Sequence, residues 1–493
     1  MMEISKIKLV NRTTLGLGMA FLSLLITGGA AYSATLTVNK DGSTGYATIQ
    51  SAIDAAQEGD TIVIRGGTYN EDPNIGHINM PPLKKNKLTL IAANDEEVVI
   101  NLANNSNRTG SLASLGADFG ANDQLGFFIY GDNVTLQGLK IVQTGTAVNN
   151  LGIAISLTII SSYVTVTDCE LVGPGAETAG DFVGMVVSPM DVVSFMQGKS
   201  IDAIGFKAER CKISGYPYAF ASADLPLDLG VPVPAPESTL VDCEFTGNSN
   251  GIEIDDGAVL AMNCHIHDNI GIGVNAGDGS ITLNNCVIEN CSEHGVQLED
   301  NELEENDAQG TPTGLIESCM ILNCGKEPGH HGISMETGLL SVNHTVIAGT
   351  SGPNMFFRAS SSGRSSTAIF DHCDLYKSFA GVGLSTTDQP KDVINLTMTN
   401  CIVVDYDGVL NMAGAISEYK IDYCDIFAEH SQLGDDVEFI ASSNLLNVDP
   451  QYVDPGNGDF HLKAGSKAAT AGKDGTYLGS KGLASVVEGW MLQ

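Results

Sequence analysis

Gly251-Ile-Glu-Ile-Asp-Asp-Gly257 returns 22 residues later as Gly273-Val-Asn-Ala-Gly-Asp-Gly279. It returns again as Gly295-Val-Gln-Leu-Glu-Asp300 and as Gly332-Ile-Ser-Met-Glu-Thr-Gly338. A second block follows: Asn263-Cys264-His-Ile266, then Asn285-Cys286-Val-Ile288, then Ser318-Cys319-Met-Ile321. The same position holds Cys169, Cys211, Cys243, Cys373, Cys401 and Cys424, so nine of the 11 cysteines fill one place in a repeat. Leu139 and Thr345 fill it where Cys is absent.

Each repeat carries three short alternating segments. One is Gly-Ile-x-Ile. One has apolar residues five and three places before the Cys, as Ile281 and Leu283 precede Cys286. The third is Cys-x-Ile. Apolar residues two apart mark strands, whose side chains alternate between faces. Three strands in 22 residues close one coil, and successive coils stack at about 4.8 Å. The predicted fold is all-β: a right-handed single-stranded parallel β-helix, a solenoid of about twelve coils in which each coil covers the next. The Asn or Asp before the Cys then falls at a tight turn, where its side chain tolerates a left-handed backbone. The Cys is a small inward packing residue. Parallel side chains on neighbouring coils fit the disulfide dihedral poorly, so mostly free thiols are expected. Cys291 and Cys324 share a second position, five residues after their partners.

The ends have a different grammar. Lys6, Lys8 and Arg12 precede an apolar run from Leu15 to Ile26, and small residues lead to Ser33. That is the order of an export signal over residues 1–33, and the run is short for a membrane span. Residues 34–60 are expected to cap the solenoid. Ile49, Ala52, Ile53 and Ala56 share one face of a short helix ended by Gly59, which would cover an otherwise exposed first coil. The first strand is expected at Thr61–Ile64, the β-helix over 61–446 and a C-terminal tail or cap over 447–493. Lys plus Arg number 24 against 59 Asp plus Glu, a net charge of −35. That balance argues against nucleic acid and anionic membrane surfaces as partners, since both are recognised by basic patches. The chain is expected to be secreted, periplasmic or on the cell surface, monomeric, and outside the membrane once the signal is removed.

Tyr46-Ala-Thr-Ile-Gln-Ser-Ala-Ile-Asp-Ala-Ala, Gly59-Asp60-Thr-Ile-Val-Ile and Gly67-Thr-Tyr69 resemble the opening segment of the pectate-lyase-like β-helix superfamily. Asn447-Val-Asp-Pro450, Gly458-Asp-Phe-His-Leu462 and Gly465-Ser466 resemble a tail common in secreted bacterial β-helix proteins. The superfamily includes pectate lyases, pectin esterases, polygalacturonases, alginate lyases and non-enzymatic surface proteins. The resemblance therefore implies a polysaccharide partner, and it is specific for fold rather than for reaction.

Alternation along Gly-Ile-x-Ile puts Ile252 and Ile254 inside and Glu253 and Asp255 outside, with Asp256 at the strand end. Stacking the coils gives three outward columns. The first is Glu253, Asn275, Gln297 and Ser334; the second is Asp255, Gly277, Glu299, Glu336 and Arg358; the third is Asp224, Asp256, Asp278, Asp300 and Thr337. Carboxylates about 5 Å apart repel by roughly 0.8 kcal/mol in water and roughly 3 in a partly dry groove. Such a ladder needs solvent, counter-ions or raised pKa values. Three readings stay open: a solvated acidic column, a calcium site, and paired carboxylates for glycoside hydrolysis. Long insertions at 173–202, 225–237, 301–313, 326–331 and 351–363 surround this face and could wall a groove.

Pectate lyases hold Ca²⁺ with acids on this sheet and use a nearby Arg or Lys as base. The acids are present here, and the local Trp-x-Asp-His signature is not. β-Elimination needs a cation on the uronate carboxylate and a base in reach: the candidate calcium ligands are Asp224, Asp256, Asp278, Glu299, Asp300 and Glu336, the candidate catalytic residues Arg358, His331 and Asp255, and the candidate substrate contacts Glu253, Asn275, Gln297 and His330. Asp255-Asp256 also resembles the polygalacturonase Asp pair, and Gly329-His330-His331-Gly332 its histidine element, while the Asn-Thr-Asp element is missing. The esterase stretches Asp-Phe-Ile-Phe-Gly and Gly-Arg-Pro-Trp, and the epimerase motif Asp-Pro-His-Asp-Arg, do not occur. The expected function is recognition of an acidic polysaccharide with calcium-assisted, lyase-type cleavage. The alternatives are a non-catalytic surface or adhesion protein and a glycoside hydrolase using Asp255, Asp256 and Asp278.

Overall fold

The computed structural model describes residues 33–77, 83–102, 126–144, 153–188, 203–222, 237–299, 312–357, 365–378, 382–386, 393–405, 408–411, 419–428, 437–439 and 442–480. Residues 1–32, and Asp224, Asp300 and Arg358 among the candidate site residues, lie outside them. The strands fall into three long parallel sheets of 15, 14 and 10 strands, which we call the first, second and third. A complete coil gives one strand to each sheet. One coil reads Ser280–Asn284 in the first sheet, Val287–Glu289 in the second and Val296–Leu298 in the third. The coils number slightly more than the twelve or so expected.

Register explains why the repeat is strict. Ile281 lies between Val259 and Gly314, Ile288 between Ile266 and Ile321, and Val296 between Val274 and Ile333. These inward residues are buried in one continuous core. A one-residue slip in any coil would turn that coil inside out.

The corner before the Cys is the sharpest part of each coil. Asp168, Arg210, Asp242, Asn263, Asn285, Ser318, His344, His372, Asn400 and Tyr423 all have φ between 49° and 56°. The left-handed turn expected for Asn and Asp is thus imposed on Arg, Ser, His and Tyr as well. All eleven cysteines are free and buried. Burial pushes the Cys319, Cys324 and Cys373 thiols well above the ordinary range, so they pack as neutral groups. The second cysteine position continues an interior polar ladder. Asn269 Oδ1 accepts from Asn248 N at 3.0 Å and from its Nδ2 at 3.2 Å, and Asn248 Oδ1 accepts from Tyr216 N at 3.0 Å.

The N-terminal helix spans Ile49–Ala55 and buries Ile49, Ala52 and Ile53. Thr48 caps it by accepting from Ser51 N, and the Glu71 carboxylate accepts from the Ile49 and Gln50 amides at 2.9 and 3.0 Å. At the other end Lys85 Nζ donates to the carbonyls of Ile53, Asp54 and Ala56. Two expectations are corrected here. The helix stops before Gly59, because Ala56 is already extended (ψ 142°); Gly59, with φ 91°, belongs to the turn that follows. The first strand is Thr35–Val38, not Thr61–Ile64; the two pair in parallel.

The C-terminal segment is a strap along the side of the solenoid. Tyr452–Asp454 and Asp459–Leu462 form an antiparallel pair. Tyr452, Phe460, Ala468 and Leu478 pack with Met320, Val346, Ile402 and Val404, which lie on the outward face of the second sheet beside inward Ile321, Ile347 and Val403. Asp374, buried in the same outward column, accepts from Tyr452 Oη, Ser480 N and Ser480 Oγ at 2.5, 2.7 and 2.5 Å.

Candidate functional site

The first predicted column is in register: Glu253 pairs with Asn275, Asn275 with Gln297, and Gln297 with Ser334. It continues through Phe356 in one direction and Ala221 in the other. The edge acids follow the same stacking. Asp255 N bonds Ser222 O, Gly277 N bonds Ile254 O, Glu299 N bonds Ala276 O, and Glu336 N bonds Leu298 O. The third sheet thus gathers Asp255, Asp256, Asp278, Glu299 and Glu336 along one edge across four coils, all half-exposed.

A column of glycines sets the opposite edge. A Cβ on Gly273 would stand 2.6 Å from Gly295 O and 2.8 Å from Ile288 Cγ2; on Gly295, 2.7 Å from Gly332 O and 2.7 Å from Ile321 Cγ2. Close approach of backbone and core methyls, not positive φ, demands glycine here.

Between the edges, the residues predicted to contact substrate are buried instead. Glu253 is 9% exposed, Asn275 4% and Gln297 6%. They hydrogen-bond to one another. Asn250 Nδ2 and Asn275 Nδ2 donate to Glu253 at 3.1 and 2.7 Å; Asn275 Nδ2 also donates to Glu299 at 3.0 Å, and Gln297 Nε2 donates to the other Glu299 oxygen. Buried polar groups take partners, and here the column supplies its own. Asn275 Oδ1 is left buried without one. Burial first, and then the charge of Asp255, push the Glu253 carboxyl up to about 8, against the two amide donors. Burial, followed by Asp256 and Glu299, raises Asp255. A protonated carboxyl therefore sits beside acids that face water.

The histidines form a separate group by the glycine edge. His331 is buried and stacks on Phe356 at 4.2 Å and on His294 at 5.3 Å. His331 N donates to His294 Nδ1 at 3.0 Å, and His294 Nε2 meets His330 Nδ1 at 3.3 Å. Burial, then His330, hold His331 down to about 4, so it is neutral at pH 7, and its Nδ1 is buried without a partner. Five residues separate His331 from Glu336, which is about 16 Å of extended strand. His331 and Glu336 thus flank opposite ends of one third-sheet strand, Ile333–Met335. His294, Phe356 and Asn250 were not singled out in the sequence. His294 precedes Gly295 as His331 precedes Gly332, and that equivalence is the signal that places it.

The predicted calcium ligands divide. Asp256, Asp278, Glu299 and Glu336 share the acid edge; Asp224 and Asp300 lie outside the described residues. Among the described residues no three of the His, Cys, Asp and Glu side chains converge as a metal cage. The donors at the edge are oxygens only, a set that suits a hard cation. They would hold one with further oxygens from a bound polyanion.

Residues 230–353 match a family model described as a right-handed β-helix region. The chain is a right-handed parallel β-helix. Solved structures similar to this β-helix include the catalytic unit of a thermostable alpha-1,3-glucanase from Streptomyces thermodiastaticus, at 12% identity, covering 84% of this chain and 71% of that one, with a TM-score of 0.48. The A-module of a mannuronan C-5 epimerase from Azotobacter vinelandii is 15% identical, with coverage of 81% and 94% and a TM-score of 0.42. A surface adhesin of Streptococcus pneumoniae is 14% identical, with coverage of 78% and 88% and a TM-score of 0.40. Likeness at these identities concerns the fold alone. No curated protein matches the β-helix. Among the described residues no helix is long and apolar enough to cross a membrane.

Proposed function

We propose that the protein is exported and binds an acidic polysaccharide along the acid edge of the third sheet, cleaving it by β-elimination with calcium. The observation that carries this reading is the in-register gathering of Asp255, Asp256, Asp278, Glu299 and Glu336 on half-exposed positions of four successive coils. Like charges so placed repel one another and a polyanion, so binding requires a cation between them. Neighbouring acids of this edge would share such a cation with oxygens of the bound polyanion, and calcium would withdraw charge from the substrate carboxylate, making the neighbouring ring proton more acidic. Asn275 and Gln297 orient Glu299 toward that edge through their amide hydrogens. Arg358, which falls in the same column by sequence, is the candidate base.

The test is turnover of pectate, alginate and chondroitin, with calcium and with chelator, read by absorbance of the unsaturated product. Calcium-dependent absorbance that Glu299→Gln lowers by about tenfold or more is expected, since a charged ligand contributes ~1.5–3 kcal/mol. Calcium-dependent binding without any new absorbance would leave recognition standing and remove the lyase step.

A second reading has one observation in its favour. Glu253, pushed up to about 8 chiefly by burial, lies two residues from Asp255, itself raised by burial, and a protonated carboxyl beside a second acid could serve as the acid of glycoside hydrolysis. Reducing ends released without unsaturated product, and abolished by Glu253→Gln, would identify it.

A further inference from the structure

Two acids lie beneath the C-terminal strap, in the outward column of the second sheet. Asp374 is 1% exposed and Asp425 0%, and Ile402 stands between them in register. The three donors to Asp374 all belong to the strap: Tyr452 Oη, Ser480 N and Ser480 Oγ. Gly479, with φ 76°, packs on the same carboxylate, and a Cβ there would overlap Asp374 Oδ1. Asp425 is treated otherwise. Neither of its oxygens has a hydrogen-bond partner. Ile402 and Leu445 flank it on the sheet. Asp449 and Tyr452, on the segment that leads into the strap, act on it from above. Among the described residues the charge that bears on it is that of Asp449, which has the same sign. Tyr452 ties the two acids together: it donates to Asp374 and meets the Tyr376 ring edge to face at 5.8 Å.

A buried carboxylate without a donor is costly, and a neutral carboxyl in the same place costs far less. Water would solvate both acids if the strap lifted. Seating the strap is therefore linked to proton uptake, and ionisation works against it. We infer that the strap is a pH-governed cover, seated while Asp425 is protonated and released as Asp425 ionises, with the Asp374 tie setting how firmly it holds. Release uncovers the apolar outward face of Met320, Val346, Ile402 and Val404. The sign follows from burial. Burial first, and then Asp449, push Asp425 up to about 8, while burial pushes Asp374 up to about 6 against its donors. Both lie above the ordinary Asp value of 3.8. The seated state is thus fully favoured below 3.8 and loses ground as pH rises, through about 6 for Asp374 and about 8 for Asp425. Tyr452 is raised well above its ordinary range, chiefly by burial, and stays neutral throughout.

The test is hydrogen exchange of the full chain between pH 5 and pH 8, corrected for the intrinsic base-catalysed rate. Opening of the strap is read in its antiparallel pair, Tyr452–Asp454 and Asp459–Leu462. The open population should grow about tenfold or more over this range, while Thr61–Ile64, at the far end of the solenoid, keeps its protection. Asp425→Leu, and Asp425→Asn as the closer isostere, carry no charge at any pH. Each should remove more than about half of that growth on a logarithmic scale, leaving the smaller share of Asp374. Either variant alone suffices if the other does not fold. A strap whose exchange ignores pH in the wild type would overturn the assignment. So would equal growth in the wild type and the Asp425 variants, or growth of the same size in Thr61–Ile64, which would mean that the whole chain opens rather than the strap.

Discussion

At the scale of single residues, the solenoid is governed by positions that admit few side chains. The corner before the Cys is left-handed in each coil that carries that Cys, which costs an ordinary residue roughly 1–2 kcal/mol and Asn less. Along this corner Asn285 Nδ2 donates to Asn263 Oδ1 at 2.7 Å, and Asn263 Nδ2 donates to Asp242 Oδ1 at 3.0 Å. Ser318 is the next corner, with φ 55°. Ser318→Asn extends the ladder and relieves the backbone, so it should stabilise the protein by about 1 kcal/mol in denaturant titrations; unchanged or lower stability would mean that the ladder is incidental. Glu253 offers a sharper test. Its folded pKa, about 8, is raised above its unfolded value near 4.5. Its contribution to stability is thus complete below about 4.5 and is lost as pH rises, the loss being finished through about 8. Glu253→Gln imitates the protonated acid. Its stability relative to the wild type should grow across that window by an amount on the order of 3–5 kcal/mol. Parallel pH profiles for the two proteins would show that Glu253 is ionised in the fold. The columns containing these residues were legible in the sequence because coil stacking is strict. What was not legible is that Glu253, Asn275 and Gln297, though outward, are nearly inaccessible. Alternation assigns a face to a side chain; it does not say whether water reaches that face.

Among the elements, the three strands of each coil could be read directly, since apolar residues two apart and the Cys corner fix both register and direction. The strap could not. Met320, Val346 and Ile402 occupy outward positions, and on a sheet counted as solvent-facing they pass for ordinary strand formers until Tyr452, Phe460 and Leu478 are seen to cover them. Nor could the strand Thr35–Val38, which lies before the helix rather than after it. The covered column runs Met320, Val346, Asp374, Ile402, Asp425, Leu445. Its two acids are treated differently. Asp374 has three donors and is pushed up to about 6 by burial. Asp425 is wholly buried with neither oxygen partnered, and burial, then Asp449, push it up to about 8. An unpaired acid between Ile402 and Leu445 costs stability that an apolar residue of similar size would return. Asp425→Leu should therefore raise stability by about 2–3 kcal/mol or more at pH 8, and by less below the ordinary Asp value of 3.8, where the wild-type acid is mainly neutral in both states. A loss of stability instead, matched by the effect of chelators on the wild type, would show that a cation occupies this place.

For the whole molecule, the consequence of stacking is that each coil touches only its neighbours, so stability adds up along the axis rather than about one centre. The two ends then need separate protection. At the N-terminus the helix covers the first coil and buries Ile49, Ala52 and Ile53. The C-terminal strap instead lies across several coils of the second sheet, with Asp374, Tyr452 and Ser480 as a buried tie. Removing residues 447–493 should expose Met320, Val346, Ile402 and Val404 together with the Asp374 carboxyl. The coils beneath the strap would lose both apolar burial and three donors to a buried acid. Because coupling in a solenoid decays from coil to coil, the loss should be local. Hydrogen exchange should speed up in Val346–Ala348, Asp374–Tyr376 and Ile402–Asp405 while strands such as Thr61–Ile64 and Thr165–Thr167 keep their protection. Uniform loss of protection would mean that the protein unfolds as one cooperative unit, with no independence between its ends. Unchanged protection beneath the strap would mean that the buried tie contributes nothing to holding those coils.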